Sequence, residues 1–281
     1  MKKLVALLTA FMLWSSATLA QGAAQPAAVG PTVVAIATQM SGYLYSNMWG
    51  SNNVDANLRS LLHGYSTVVW KNTGEFAVDT SVVASHTVAD DGRGNRTYTF
   101  DLVHGLLYND GSPVTARDYV FTVLLQSDQL ISALGGQHTN YDYLTGYAEY
   151  ASGSRAEFSG VRLLGDYRFA ITVAVGELPY FFEQTLMDVS PTPIQAVAPG
   201  YAVRDDGRGA YLTLAQNATA EVGVPAALTL DLLQTNLIGT NGYAHQPRIT
   251  CGAYQLVTYD AAASSATVEI NPNYQGNFEG R

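Results

Sequence analysis

Apolar and polar positions along this chain change rhythm several times, and each change predicts an element. Residues 32–38, TVVAIAT, form a β-branched run and predict a first strand. The next stretch, QMSGYLYSNMWGSNN, fits neither period and predicts a loop leaving a strand end, a place where function often sits. Leu58, Leu61 and Leu62 share one helical face, with Asp55 as the expected cap and Gly64 as the stop. Strands are expected over 67–70 and 75–88, and over 96–103, where Tyr98, Phe100 and Leu102 alternate with polar residues. The last two should pair as a hairpin across Asp90-Asp91-Gly92-Arg93-Gly94.

After the turn sequence Asn109-Asp110-Gly111 and the extended Ser112-Pro113, Thr115 fits a helix N-cap with Asp118 completing a capping box. Val114 and Tyr119 stand at the positions of a hydrophobic staple, and Val120, Val123 and Leu124 face a core. This helix is expected to end near Gly135-Gly136. Residues 137–160 are rich in tyrosine. A second hairpin is expected from 161–164 and 168–175, then a helix begun by Pro179 and carrying Phe181, Phe182 and Leu186. Residues 190–199 have room for one helical turn at most. Residues 225–238 predict a helix, and 254–259 with 266–270 predict strands joined by a turn at Asp260.

Composition narrows the class. Of 281 residues, 47% are hydrophobic and 13% charged, enough to build a sizeable core. The formal net charge of −9 argues against nucleic acid, whose phosphates need a basic face. Residues 1–20 read as an export signal: Lys2-Lys3, an apolar run from Leu4 to Trp14, and the small-residue site Thr18-Leu19-Ala20, with a second cut after Ala24. Residues 21–31 read as a flexible lead-in. No cysteine stands near either cut to carry a lipid, and the mature chain is expected to be exported, without a membrane span of its own. The single cysteine, Cys251, rules out an internal disulfide and has no surrounding motif that marks a nucleophile.

Little chemistry is signalled. The five histidines show no ligand spacing, and no metal is expected. No nucleophile elbow, phosphate loop or dinucleotide fingerprint is present, so no catalytic residue, enzyme activity or cofactor is expected. The two DDGRG stretches read as solvated turns rather than calcium loops, because the regular acidic spacing is missing.

The order of the motifs carries more than any one of them. Tyr108-Asn109-Asp110-Gly111-Ser112-Pro113-Val114-Thr115-Ala116 with Asp118, then Leu178-Pro179-Tyr180-Phe181, then Pro247 with Thr250-Cys251-Gly252-Ala253-Tyr254, then Asn271-Pro272-Asn273-Tyr274 with Gly276, follow one another along nearly the whole chain. Asn53, Asp55 and the leucine-rich stretch to Gly64-Tyr65 precede them. The series resembles family 5 of the extracellular solute-binding proteins, the oligopeptide-binding receptors of ABC importers. It departs from that family in lacking the lipobox cysteine common in Gram-positive members and in stopping at Arg281, where a second lobe would follow.

The resemblance implies an α/β, periplasmic-binding-protein type II-like lobe with a mixed sheet, antiparallel hairpins and flanking helices. Residues 32–281 would be the N-terminal lobe, without the second. It implies a monomer in the periplasm or at the cell surface that captures an oligopeptide by backbone pairing between two lobes and hands it to permease subunits. Ser41, Gly42 and Tyr43 would line the cleft, with Tyr141, Tyr143 and Tyr254 as further ligand contacts. Gly42 would let a ligand backbone approach closely, so Gly42→Trp is expected to block binding with little change in melting temperature. Oligosaccharide, nickel or haem remain alternative ligands. A lone lobe serving as a surface interaction protein, or a secreted hydrolase, are the readings from other classes.

Overall fold

One buried helix organises the fold. In a computed structural model, which describes residues 39–50, 52–217 and 223–276, helix α2 (Ala116–Gln126) buries every residue except Arg117 and Arg117's exposure marks its one wet position. The export signal, the lead-in and the strand expected over 32–38 lie outside the described residues. The capping box forms as expected. The Thr115 N–H donates to the Asp118 carboxylate at 2.7 Å and the Thr115 hydroxyl at 3.0 Å. Val114 and Tyr119 are both fully covered.

Against α2 lies a four-stranded antiparallel sheet in the order β3 (Val83–Asp90), β4 (Arg96–Leu102), β6 (Arg168–Val173), β5 (Val161–Gly165). The alternation read in β4 holds: Tyr98, Phe100 and Leu102 point inward. Phe169 of β6 joins the layers, its ring 5.0 Å from Phe100 and stacked 5.2 Å from Tyr119 of α2. Three two-stranded ribbons flank this core: β1 (Val68–Trp70) with β2 (Phe76–Val78), β7 (Tyr201–Asp205) with β8 (Ala210–Leu214), and β9 (Tyr254–Asp260) with β10 (Ser265–Ile270). The α/β class holds. Within it, every strand pairing among the described residues is antiparallel.

Several boundaries differ from the sequence reading, each for a local reason. The strand expected over 75–88 is two strands, because Asp79 turns the chain: its carbonyl accepts from Val82 and Val83 and its carboxylate from the Ser81 N–H. α2 stops at Gln126. Asp128 then accepts from the Leu130 N–H at 2.8 Å and starts the short α3 (Leu130–Ala133). The tyrosine-rich stretch holds one short helix, α4 (Tyr147–Ala151).

Pro179 begins no α-helix. Glu183 is clamped by Arg96 at 2.8 and 2.9 Å and by the Tyr98 hydroxyl, which leaves a 3₁₀ segment over Glu183–Met187 and Phe181 92% exposed. The single turn expected over 190–199 is α5 (Ile194–Val197). The helix expected over 225–238 shrinks to α6 (Leu230–Leu233), capped by Thr229 and running into a π turn over Gln234–Ile238. The first DDGRG is a solvated turn. In the second, Asp205 is drawn in by Arg162 at 2.8 and 2.9 Å.

Candidate functional site

The irregular loop after residue 38 is held by one face of a helix. α1 (Asn53–Leu62) begins at Asn52, whose side chain accepts from the Val54 and Asp55 N–H groups at 3.0 and 2.9 Å. Asn52, not Asp55, is therefore the cap, and Asp55 is freed for another task. It is fully buried and accepts from the Ser41 N–H at 3.0 Å, the Ser41 hydroxyl and the Gly42 N–H at 3.1 Å. One turn on, the Arg59 guanidinium donates to the Tyr43 carbonyl at 2.7 Å. One turn further, just past the helix end, His63 Nε2 donates to the Leu44 carbonyl at 2.9 Å.

Positions i, i+4 and i+8 of one helical face thus read off successive backbone groups of residues 41–44. Burial, with the nearby Arg59, keeps His63 neutral by pushing its pKa down to about 4, against the pull of the Leu44 carbonyl. From the other side, the Ala244 carbonyl accepts from the Leu44 N–H at 2.7 Å, and His245 Nδ1 donates to the Gly42 carbonyl at 2.8 Å.

Gly42 has φ +81, and a Cβ there would collide with the Tyr259 hydroxyl. The glycine answers to Tyr259 of β9 and to its own backbone angle. The expectation that a tryptophan at Gly42 would spare the fold is corrected by that collision and by the positive φ. Ser41 is exposed beside Asp55, and the Tyr43 ring is half-buried between His245 at 4.9 Å and Trp49 at 6.1 Å.

Beyond this loop runs a polar groove. A cavity of about 460 Å³ lies between residues 45–47, α1, α2 and residues 188–192, and a second of about 360 Å³ continues past Asn140, Tyr141 and Tyr143. The two share Asn47, Gln126, Tyr141 and Asp188. The floor is hydrogen-bonded. Tyr45 and Thr192 hydroxyls meet at 2.8 Å, Asn140 donates to Gln126 at 2.8 Å, and the Thr122 hydroxyl lies 2.7 Å from the Ser190 carbonyl. Polar groups satisfied in this way stay fixed, which suits a surface that binds. Burial raises the pKa values of Tyr45, Tyr141 and Tyr143, so all three present neutral phenols.

Tyr141 and Tyr143 are therefore brought together in the groove, with ring centroids 6.2 Å apart. Ser41, Gly42 and Tyr43 flank it through Arg59 but do not line it. Tyr254 opens β9 opposite Ile270 and does not line it either. Sequence reasoning missed Asn47, Gln126, Asp188 and Thr192, since nothing in their spacing marks them. Among the described residues no group of three His, Cys, Asp or Glu could hold a metal ion.

The motifs that carry the resemblance have a different role. The Asn109 carboxamide accepts from the Thr250 N–H at 2.8 Å and donates to the Arg248 carbonyl at 2.9 Å. Asn273 donates to the Asn109 carbonyl at 3.0 Å, and Asn271 to the Gly252 carbonyl at 2.9 Å. Gly64 is pressed against residue 251, where a Cβ would come 2.8 Å from the Cys251 carbonyl, so it is set by close packing more than by stopping α1. Four motifs spread over the chain interlock on one side of the fold.

Comparison with known proteins bears on the family and the fold. The model of the bacterial extracellular solute-binding proteins, family 5, matches residues 79–279. The chain belongs to that family. This family 5 protein is similar to the periplasmic oligopeptide-binding protein OppA of Salmonella typhimurium, 29% identical over 104 residues, which is 36% of this chain and 19% of that protein. Among solved structures it resembles lactococcal OppA complexed with an endogenous peptide in the closed conformation, at 18% identity and TM-score 0.55, over 85% of this chain and 38% of that one. It also resembles Listeria monocytogenes OppA bound to peptide, at 15% identity and TM-score 0.53, over 80% of this chain and 36% of that one. These structural matches fix the fold as that of a type II-like binding lobe. The chain spans well under half the length of the relatives it matches. The matched relatives are solute-binding proteins, not enzymes. No helix among the described residues is long and apolar enough to cross a membrane.

Proposed function

We propose that this family 5 protein is the substrate-binding component of an ABC importer and takes oligopeptides. Residues 32–281 supply one lobe, and the groove beside residues 41–47 forms one wall of a cleft that a second lobe closes. The observation that carries the reading is the groove itself: a hydrogen-bonded polar floor, two adjacent tyrosines and a loop whose backbone is fixed from both sides, in a chain of a solute-binding family.

A peptide offers a regular series of N–H and C=O groups. A wall rich in amides, hydroxyls and phenols can pair with them directly or through water without demanding one sequence. Tyr141 and Tyr143 would touch the ligand, and Ser41, Gly42 and Tyr43 would set the cleft edge. Delivery to permease subunits, and residence in the periplasm or at the cell surface, follow from the same reading.

The test is calorimetric titration of the purified mature chain with tripeptides and with oligosaccharides of similar size. Peptide binding that weakens at least tenfold in Tyr141→Ala, about 1.4 kcal/mol, supports the proposal. Sugar binding without peptide binding overturns it.

A further inference from the structure

The groove holds one carboxylate that no cation among the described residues pairs with. Asp188 lies at the junction of the two cavities and is open to solvent. Among the described residues its carboxylate has one hydrogen-bond partner, the Ser66 hydroxyl. No Lys, Arg or His among the described residues forms an ion pair with it; though its outer edge meets solvent, the groove walls crowd the carboxyl and raise its pKa, and Ser66 lowers it. Arg59, the cation that also lines the groove, is spent on the Tyr43 carbonyl, and His63 is neutral. Tyr141 and Tyr143 stand close enough to feel the Asp188 charge, and both line the same cavity.

We propose that Asp188, together with Tyr141 and Tyr143, selects ligands that bring a basic side chain into this part of the groove. A carboxylate without a counter-charge attracts a cation by simple Coulomb attraction, and phenol rings attract a cation over their faces. The protein's formal net charge of −9 favours the approach of such ligands from a distance. The inference rests on the peptide-binding reading and deepens it: the peptides taken are basic ones.

The experiment compares Ala-Lys-Ala, Ala-norleucine-Ala, Ala-Glu-Ala and the diamine cadaverine by calorimetry on the purified chain, on Asp188→Asn and on Glu177→Gln. The last variant removes the same charge from an exposed position outside the groove. The expected result is about a tenfold preference for the lysine peptide over the norleucine peptide, about 1.4 kcal/mol, lost in Asp188→Asn and kept in Glu177→Gln. Peptides bound without that preference, or a preference that survives Asp188→Asn or falls equally in Glu177→Gln, overturn the inference while leaving the peptide reading intact. Cadaverine bound in an Asp188-dependent way with no peptide bound keeps the charge selection and overturns the peptide reading. No binding of any probe overturns both.

Discussion

At the scale of single residues, two buried titrating groups work against each other. Burial raises the Asp118 carboxyl to about 6 from 3.8, against the bonds from Thr115. Its native form holds a proton that the unfolded chain has released, so its contribution to stability is full below about pH 3.8 and gone above about pH 6. His63 is lowered to about 4 from 6.5, so its contribution is full above pH 6.5 and lost as pH falls through about 4. Each shift of roughly two units is worth on the order of 3 kcal/mol, and over pH 4 to 6 the two run in opposite directions. Urea unfolding of the variants should separate them. Asp118→Asn is expected to lose stability steeply as pH falls from 6.5 to 4, and His63→Gln to gain it over the same range relative to the parent. Parallel profiles for the two variants would refute the assignment. Gly42→Ala meets both a φ of +81 and Tyr259, and a loss of about 1–3 kcal/mol is expected in thermal unfolding.

At the scale of elements, α1 acts as a template for residues 41–44. Asp55→Ala would leave the part-buried Ser41 N–H and the buried Gly42 N–H without their acceptor, a cost of about 1–3 kcal/mol for the buried one. Hydrogen exchange at the Ser41 and Gly42 amides should then speed up far more than at α2 amides. Asn52→Ala, which removes the cap and a bond to the Gln39 carbonyl at 3.0 Å but leaves the Asp55 acceptor in place, is expected to cost about 1 kcal/mol and to loosen residues 41 and 42 less. Equal exchange at Ser41 in the parent and Asp55→Ala would mean that Asp55 is not what holds the loop.

At the scale of the whole molecule, two sets of residues divide the labour. The interlocked Asn109, Thr250, Asn271 and Asn273 join segments far apart in sequence, whereas the groove residues face solvent. Asn109→Ala is therefore expected to lower the melting temperature of the entire lobe cooperatively, with a cost of about 2–4 kcal/mol from its lost bonds. In the protein that remains folded, the ratio of affinities for lysine and norleucine peptides should be unchanged. A changed ratio would place Asn109 in the binding surface.

Local grammar determined the parts of this protein that neighbours in sequence can specify. The capping box at Thr115 and Asp118, the alternation in β4, and the β5–β6 and β9–β10 hairpins all depend on residues within a few positions of one another and stand where the pattern put them, and the β3–β4 hairpin forms with its first strand begun later, at Val83. The order of the motifs was enough to indicate the family. Where a distant partner intervenes, the pattern failed. Glu183 is captured by Arg96 and Tyr98, which unmakes the helix expected after Pro179. Asn52 takes the cap because Asp55 is claimed by Ser41 and Gly42, and Gly42 answers to Tyr259 across most of the chain. Of the groove, the sequence reading named Tyr141 and Tyr143, and the rest belongs to the tertiary structure. Asn47, Gln126, Tyr141, and Asp188 with Thr192 come from four separate segments, and only the packing of those segments around α2 sets the Asp188 carboxylate beside two tyrosines.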